Sequence, residues 1–442
     1  MGPPTIPFSG DADVPRRVDT AIIGGGIIGI ATALALVERG QKVVVAEKGE
    51  IAGEQSSRNW GWCRQARRDP REFDLARESL RLWRGMNERV EADTGFVPCG
   101  TFFAARDEPT LERYEKWIAE AGQAGIAAQM ASASQVQQLL TGDSMPPPTG
   151  LWCASDGCAE PQRAVPLMAN AARRHGATIL TGCAVRGMET AAGRIVGIVT
   201  ERGPIACNAV VVAGGAWTRR ILRDLDITIP QLKVRATVSR TQPLPGGPDL
   251  CFWDGVLGVR KRADGGYTVA NGLLNAVPIT PDAFRFMPAY LPLLGMEWRH
   301  IRLRLNSSFA DEWRDAAPVP LDRPSPYESC RVLDPAPDCR YVEASLAALR
   351  RRFPALAAAR IEQVWAGMID AMPDTVPIIS PVPTMTGLVV ATGFSGHGFG
   401  IGPAAGELVA DMVTGGKPLV DPHAYRIERF WDGTMPRPFG GV

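Results

Sequence analysis

The sequence lacks the residue spacings that mark a metal centre or a disulfide framework. It has only four histidines, and its nine cysteines include no C-x-x-C pair. Structural zinc sites and small secreted scaffolds usually show such spacings. We therefore expect reduced thiols, a cytoplasmic location and no bound metal.

Charge of one sign and long apolar runs are also missing. The formal net charge is +1, from 48 basic and 47 acidic residues in a chain of 442, which gives no electrostatic case for binding nucleic acid or an anionic membrane. No apolar run reaches the roughly 18 residues of a transmembrane segment, and no secretory signal is expected at the N-terminus. With 45% hydrophobic residues, the chain is typical of a globular protein with two or three domain-sized cores.

A strand–turn–helix–strand pattern is present at residues 18–47. Gly24, Gly26 and Gly29 supply G-x-G-x-x-G between an apolar strand and an Ala/Leu-rich helix. Such glycines allow a tight turn and a close approach to a pyrophosphate, which the helix N-terminus attracts. Glu47 ends the next strand, where an acid accepts hydrogen bonds from an adenosine ribose and disfavours a 2′-phosphate. The pattern predicts a dinucleotide site, and a glycine-rich turn in another α/β protein is the alternative.

A second fingerprint of this kind is absent, which argues against a flavoenzyme that passes electrons to NAD(P)H and against a disulfide reductase. Apolar spacing predicts an amphipathic helix at 71–93. Further expected elements are helices at 110–124 and 133–140 joined by a glycine turn, a hairpin at 194–212, strands at 231–241 and 362–370, and a glycine-rich turn at 393–402 before a helix at 404–413.

Five segments form a series along the chain: AIIGGGIIGIATALALVERG with VVVAEK, SSRNWGW, DGCAEPQRAVPLMANAARRHGA, AVVVAGGAW and GLVVATGFSGHGFGIGPAAGELVADMV. In this order they resemble the FAD-dependent oxidoreductases of the D-amino-acid oxidase family, which include glycine oxidase, sarcosine oxidase, D-amino-acid dehydrogenase and γ-glutamylputrescine oxidase. The resemblance implies an α/β fold (α+β overall). A Rossmann-like FAD domain (1–95, 151–225 and 355–442) would carry an inserted antiparallel-sheet substrate domain (96–150 and 226–354).

The resemblance also implies the residues that bind FAD. They are the phosphate turn Gly24, Gly26 and Gly29; Glu47 and Lys48 near the adenosine; the loop Ser56, Ser57, Arg58, Asn59, Trp60 and Gly61; Val185 near the adenine; the closing turn Gly214 and Trp217; and the flavin-edge turn Gly393, Ser395, Gly396, His397, Gly398 and Gly400. Gly367 matches the position where sarcosine oxidase attaches its flavin through a cysteine, so non-covalent FAD is expected.

Two departures from the family bear on the substrate. Glycine oxidase and D-amino-acid oxidase carry a carboxylate-binding arginine in the segment that matches residues 365–374. This chain has Ile369 and Asp370 there. Asp370 either meets a substrate ammonium or hydrogen-bonds the backbone. Arg64, Arg260 and Arg262 are the alternative candidates for holding a substrate carboxylate, and each is otherwise a surface charge. His397 is either a general base or a structural residue beside the flavin.

The resemblance implies oxidation of a CH–NH bond in an amino acid or a primary or secondary amine. Hydride transfer to flavin N5 would give an imine, and the electrons would go to oxygen or to a respiratory acceptor. Three alternatives stay open: a CH–OH dehydrogenase of the same fold, a flavoprotein subunit of a hetero-oligomeric dehydrogenase, and a non-redox flavin scaffold. The oligomeric state is also open.

Overall fold

The computed structural model describes residues 2–272, 275–298, 301–314, 317 and 319–439. Its strands are β1 Thr20–Ile23, β2 Val43–Ala46, β3 Trp62–Cys63, β4 Thr101–Ala105, β5 Gln129–Ala131, β6 Thr149–Cys153, β7 Gly157–Cys158, β8 Thr178–Leu180, β9 Val185–Ala191, β10 Arg194–Thr200, β11 Gly203–Ala206, β12 Ala209–Val212, β13 Leu232–Thr241, β14 Cys251–Trp253, β15 Leu257–Lys261, β16 Tyr267–Asn271, β17 Asn275–Pro278, β18 Ile301–Arg304, β19 Ile361–Ala371, β20 Ile378–Pro381 and β21 Leu388–Thr392. Its α-helices are α1 Ile27–Glu38, α2 Gln55–Arg58, α3 Phe73–Arg84, α4 Met86–Arg89, α5 Glu108–Gln123, α6 Ala133–Leu139, α7 Pro161–Arg174, α8 Thr218–Arg223, α9 Pro281–Arg285, α10 Met287–Glu297, α11 Ser308–Arg314, α12 Pro326–Ser329, α13 Arg340–Arg352 and α14 Gly398–Thr414.

A six-stranded sheet has the order β20–β21–β12–β1–β2–β8, and only β20 runs antiparallel to its neighbour. Thr20 on β1 faces Val43 on one side and Ala209 on the other. The strands β1, β2 and β21 are buried along their whole length, as expected for a parallel sheet covered on both faces.

Helix α1 lies at the centre of the helical layer on one face of this sheet. Every residue from Ile27 to Val37 is buried, because the helix packs against α7 and α14 as well as the sheet. A helix that is apolar on all sides can only be stable in such a position.

The second sheet has ten strands, in the order β18–β17–β13–β16–β15–β14–β4–β6–β5, with β19 also paired to β13. Most neighbours are antiparallel, but β4 with β14 and β17 with β18 are parallel. The sheet is therefore mixed and not purely antiparallel as expected. The two longest strands, β13 and β19, pair along nearly their whole length. Near the end of β19, Asp370 accepts a hydrogen bond from Thr392 of β21, in the six-stranded sheet.

Several elements differ from the sequence expectation. The helix expected at 71–93 is divided near Gly85 into α3 and α4. Strand β5 occupies part of the expected turn between α5 and α6. The hairpin expected at 194–212 is a three-stranded sheet, β9 to β11, followed by β12 of the main sheet. Helix α14 begins at Gly398, six residues earlier than expected, so part of the glycine-rich segment is helical. No described helix is both long and apolar enough to span a bilayer.

Candidate cofactor and substrate site

A cavity of about 510 Å³ lies where the carboxyl ends of β1, β2 and β12 meet β13 and β19. The crevice at the carboxyl ends of parallel strands is the usual ligand site of open α/β sheets. The cavity extends from the glycine turn after β1 to a group of arginines near Arg64 and Phe103. Its lining includes separate regions for a dinucleotide and for a small substrate.

The glycines of the turn between β1 and α1 have no room for a side chain. Gly24 has a φ of +113°, and a Cβ there would lie 2.5 Å from the carbonyl oxygen of Ala213. A Cβ on Gly29 would lie 2.0 Å from the carbonyl oxygen of Gly24. The backbone N–H of Ile27, at the start of α1, donates to Ser56 Oγ at 2.9 Å. The glycines therefore let the turn, the helix and the 55–58 segment meet closely enough to form a cradle for phosphates.

Glu47 is held at the end of β2 by two backbone donors. Its two carboxylate oxygens accept one N–H each, from Gly25 and Gly49, both at 2.7 Å. Burial raises the pKa of Glu47, and these two N–H groups oppose that rise. Each oxygen keeps a further lone pair, so the carboxylate can still accept the hydroxyls of a ribose.

Lys48 and Trp217 fix a third residue, Glu54, at the same end of the cavity. Lys48 Nζ contacts Glu54 Oε1 at 2.7 Å and lies 4.5 Å above the Trp217 ring. Trp217 Nε1 donates to both oxygens of Glu54 at 3.1 Å. Lys48 also donates to the carbonyls of Cys330 and Arg331. All three ammonium protons are thus in use, and Lys48 acts here as a cross-link between chain segments.

Residues 325–334, which we call the covering segment, close this end of the cavity. Besides the two carbonyls that bind Lys48, the segment contributes the N–H of Leu333, which donates to Glu54 at 3.0 Å. Asp334 pairs with Arg58 at 2.6 Å. Tyr327, Arg331 and Val332 of the segment line the cavity. A part of the chain nearly 280 residues from Glu54 therefore forms the outer wall of the nucleotide end.

The loop that follows α2 is held by its own side chains. Arg58 is buried and donates to Asp334, to Ala366 O and to Gly53 O, so its guanidinium joins protein segments. Asn59 Nδ2 donates to Ser56 O, and its Oδ1 accepts the N–H of Gly61. These bonds leave the backbone and Trp60 facing the cavity.

The C-terminal glycine turn is organised by Asp370 on β19. Asp370 Oδ2 accepts the N–H of Gly393 at 2.7 Å, and its carbonyl accepts the N–H of Ser395 at 3.0 Å. Gly393, Ser395 and Gly396 all have positive φ, of +74°, +49° and +86°, a conformation that costs energy for serine. Burial raises the pKa of Asp370 to about 6, against the opposing N–H of Gly393. Of the two roles considered from the sequence, the structure shows the hydrogen bond to the backbone.

Three arginines converge at the other end of the cavity. Arg64, Arg67 and Arg68 all line it, and within the described residues none of their guanidinium groups forms an ion pair closer than 4.0 Å. Burial lowers the pKa of Arg64 well below its usual range, and the charges of Arg68 and Arg67 lower it further. Asp156 and Glu72 oppose this lowering at Arg64, and Glu297, which also lines the cavity, opposes it at Arg67. Three guanidinium groups that converge in this way favour the binding of an anion.

Aromatic rings support these arginines. The Cζ atoms of Arg64 and Arg67 lie 5.4 Å and 5.0 Å from the Phe103 ring centre, and Arg67 is also 5.6 Å from Tyr114. Arg67 has a φ of +56°, a backbone strain that is typical of functional sites. Trp60 packs on Trp62 and Trp253, with ring centres 5.3 Å and 5.6 Å apart. This end of the cavity therefore combines positive charge with a large apolar wall.

His397 lies between the two ends, just before α14. Burial lowers its pKa to about 4 and Arg68 adds to that effect, while Glu72 opposes it. Its Nδ1 is 3.3 Å from Glu72 Oε2, in an alignment that makes no hydrogen bond, and neither ring nitrogen has a partner among the described residues. Both ring nitrogens are shielded from solvent, so the imidazole is a buried neutral group beside the cavity.

Arg260 lies outside this cavity. Its guanidinium is 2% exposed and pairs with Glu160 at 2.8 Å, and Arg262 pairs with Asp264 at 3.1 Å. Neither arginine is part of the cavity lining. Because Glu160 already neutralises Arg260, the strand that carries it supplies no free charge to a substrate, and the expectation of a catalytic Arg260 does not agree with this position.

Most of the residues expected to bind the cofactor do line the cavity. These are Gly24, Gly26, Glu47, Lys48, Ser56, Arg58, Asn59, Trp60, Val185, Gly214, Trp217, Gly367, Ser395, Gly396, His397, Gly398 and Gly400. Gly29, Ser57, Gly61 and Gly393 lie behind the lining and act through the backbone they shape.

The comparison with known proteins decides the family. A family model described as FAD dependent oxidoreductase matches residues 19–412. The chain belongs to the FAD-dependent oxidoreductase family. The resemblance found in the sequence, the α/β fold and FAD as the cofactor are thereby confirmed.

Solved and curated relatives agree with this membership. The L-amino acid deaminase of Proteus myxofaciens, solved in complex with anthranilate, is 33% identical with a TM-score of 0.94, over 97% of each chain. A 4-methylaminobutanoate oxidase (formaldehyde-forming) of Paenarthrobacter nicotinovorans is 23% identical over 94% of this chain, which spans only 46% of that relative. Glycine oxidase of Pseudomonas putida is 24% identical, over 92% of this chain and 97% of its own.

The cavity of this FAD-dependent oxidoreductase fits its cofactor. The glycine turn has no space for a Cβ, which is what a close backbone approach to phosphates requires. Glu47 keeps acceptor positions for a ribose, and the turn at Ser395 and Gly396 lines the opposite region. These three features are spread along one continuous lining, as a long dinucleotide needs.

Sequence reasoning missed several residues of the site. Arg67 and Arg68 were not singled out, although the R-x-x-R-R spacing that begins at Arg64 was a usable signal. Glu72 lies on the short helical turn before α3 and could not be linked to His397, 325 residues away, without the fold. Gln55 accepts the N–H of Asp370 at 3.2 Å, and this contact too has no sequence signal.

Proposed function

We propose that the protein oxidises the bond between the α-carbon and the nitrogen of an L-α-amino acid. The product is an imino acid, which water hydrolyses to a 2-oxo acid and ammonia. The observation that carries the proposal is the convergence of Arg64, Arg67 and Arg68 at the apolar end of the cavity, where the Phe103 ring lies beneath Arg64 and Arg67. The 33% identity to an L-amino acid deaminase supports both the amino acid and its L configuration.

FAD supplies the hydride acceptor for this reaction when it is bound. Glu47 accepts the ribose hydroxyls, and the N-terminal end of α1 faces the phosphates. The N-terminus of α14, which begins at Gly398, would present backbone N–H groups where negative charge develops. We propose that the cofactor is held without a covalent bond, because a glycine, Gly367, occupies the matching position and offers no nucleophile.

Arg64 and Arg67 hold the substrate carboxylate in this proposal. Both residues are partly buried, so an incoming carboxylate would be only partly screened by water and its pairing would be strong. The Phe103 ring beneath them fixes their positions. Trp60 and Trp253 face the same space and favour a substrate with a large apolar or aromatic side chain. The anthranilate bound to the Proteus relative, an aromatic amine with a carboxylate, supports this preference.

No general base is required by the proposal. A substrate amine that binds neutral can lose hydride from its α-carbon once it is correctly positioned. His397 has a pKa near 4, so it stays neutral at physiological pH, and in this proposal it is a structural residue beside the flavin. Asp370 holds the glycine turn through Gly393 N–H and is therefore assigned to the cofactor side of the site.

Three finer points belong to the same proposal. We propose that the FAD domain comprises residues 1–95, 151–225 and 355–442, and the substrate domain 96–150 and 226–354. All nine cysteines are free thiols, which supports a cytoplasmic location. Either oxygen or a respiratory carrier accepts the electrons, and the two are distinguished by whether peroxide accumulates in air.

The test is a screen for anaerobic bleaching of the bound flavin. L- and D-amino acids, N-methyl amino acids and polyamines are mixed with the holoenzyme, and the visible flavin absorbance is followed. We expect L-α-amino acids with large apolar side chains to bleach it. Bleaching by polyamines alone, or by D-amino acids alone, would contradict the proposal.

A matched set of variants tests the arginines. We expect R64Q and R67Q each to weaken anthranilate binding by about 2–5 kcal/mol, the range for losing one partner of a partly buried charge pair. The control is R81Q, at a side chain that is 61% exposed on α3. Equal affinities in R64Q, R67Q and R81Q would refute the carboxylate assignment while leaving the cofactor site intact.

A further inference from the structure

Three cysteines that are far apart in the sequence meet in space behind the aromatic wall of the cavity. Cys99 precedes β4, Cys158 ends β7 and Cys251 begins β14. The Cys99 sulfur is 3.5 Å from that of Cys158 and 3.8 Å from that of Cys251. All three sulfurs lie within 4.8 Å of one another. The absence of a C-x-x-C pair in the sequence therefore does not prevent three cysteines from meeting in the fold.

Strand pairing explains the convergence. Cys251 faces Thr101 in the parallel pair of β14 and β4, which places Cys99 beside it. Cys158 exchanges both backbone hydrogen bonds with Val97, two residues before Cys99. The three sulfurs are thus set by backbone contacts of two sheets, and this arrangement does not depend on a flexible loop.

We propose that Cys99, Cys158 and Cys251 bind one zinc ion as thiolates, with water as the fourth ligand. A zinc–sulfur distance of about 2.3 Å in a tetrahedral site places two sulfurs about 3.8 Å apart. Two of the three sulfur separations are already close to that value. Within the described residues no fourth cysteine, histidine or carboxylate joins the group, which leaves one coordination position for water.

Burial and charge favour a divalent soft cation at this position. Cys158 and Cys251 are buried, and Cys99 is half-buried and gives access from solvent. Three thiolates with Zn²⁺ carry a single net negative charge. A monovalent ion in the same place would leave a larger uncompensated buried charge, which costs more.

The zinc ion would hold together the strand ends that carry the aromatic wall of the cavity. Cys158 pairs directly with Trp62 across β3 and β7, and Trp253 is two residues beyond Cys251. Both tryptophans line the cavity. A metal that joins the ends of β4, β7 and β14 therefore stabilises the apolar surface against which a substrate would lie, without touching the cofactor cradle.

The first experiment uses the full-length holoenzyme, purified without chelators and supplied with Zn²⁺. Elemental analysis after gel filtration is expected to find about one zinc per chain, and Co²⁺ substitution should give a thiolate charge-transfer band. C158S and C251S should lose both signals. C207S, at a buried cysteine outside the group, and C339S, at an exposed one, should keep them. Zinc that is absent from the wild type, or equally present in all four variants, would overturn the proposal.

A second measurement needs no variant to fold. Zn²⁺ should slow the reaction of Cys99 with a maleimide in the wild-type protein and leave exposed Cys339 unaffected. Both rates are read by peptide mass spectrometry. An unchanged Cys99 rate, or a Cys99–Cys158 disulfide found in the untreated protein, would show that these thiols have another role.

Discussion

Replacing Asp370 by asparagine is expected to change how the stability of the protein depends on pH. The Asp370 side chain is 3% exposed and accepts the N–H of Gly393 at 2.7 Å. Burial raises its pKa from the ordinary 3.8 to about 6. The asparagine amide oxygen can accept the same N–H, so D370N removes the charge and keeps the turn.

The magnitude and sign follow from proton linkage. Between about pH 4 and about pH 6 the folded state holds a proton on Asp370 that the unfolded chain has released, so stability falls as the pH rises. The pKa difference of about two units corresponds to about 3 kcal/mol. The asparagine of D370N does not titrate, so this loss of stability does not occur in the variant. Its free energy of unfolding, relative to the wild type, should therefore rise by about 3 kcal/mol across that window and stay level above it.

His397 acts in the opposite direction in the wild type. Its pKa is lowered to about 4, so the unfolded chain binds a proton first and stability falls on acidification below the ordinary pKa of 6.5. The opposite effects of Asp370 and His397 on stability therefore partly cancel in the pH dependence of the wild type. The difference between D370N and the wild type removes the His397 contribution, which both proteins share.

The assay is denaturant unfolding of the FAD-saturated protein at a series of pH values from about 4 to about 8. D74N, at a side chain that is 57% exposed on α3, is the matched control and should show no such trend. A difference between D370N and the wild type that does not vary with pH would refute the assigned environment of Asp370.

Two further predictions concern other parts of the site. G29A should be purified without flavin colour, because its Cβ would lie 2.0 Å from Gly24 O. The control G122A on α5, where a Cβ meets nothing within 4 Å, should keep full colour. A yellow G29A would contradict the close packing of the turn. E160Q should lower the free energy of unfolding by about 3–5 kcal/mol, because it leaves Arg260 buried without its charged partner. D249N, which breaks an exposed pair with Lys261, should have a far smaller effect, and equal costs for the two would argue against the buried pair.

Local patterns predicted the strand, turn and helix around Gly24, as the structure has them. The glycine turn at Gly24, the buried strands around it and Glu47 at the end of β2 all depend on short-range steric rules. Those rules act within about 30 residues of Gly24, so a single sequence contains them. The C-terminal turn at Gly393 was placed for a similar reason, although the start of α14 was set six residues too late.

The substrate half depends on contacts that no short segment contains. Arg260 appeared as accessible as Arg64 in the sequence, and only the fold pairs it with Glu160, 100 residues away. The three cysteines of the proposed zinc site are separated by at least 59 residues. Charge compensation and clustering are properties of the packed chain, which is why they had to be read from the structure.

The covering segment has a consequence for how the holoenzyme keeps its cofactor. Residues 325–334 are tied to the adenosine end through Lys48, Glu54 and Arg58, and they come late in the chain. FAD bound at this end would lie beneath a wall that a distant part of the sequence provides. We expect the contacts that hold this wall in place to slow the loss of the bound cofactor.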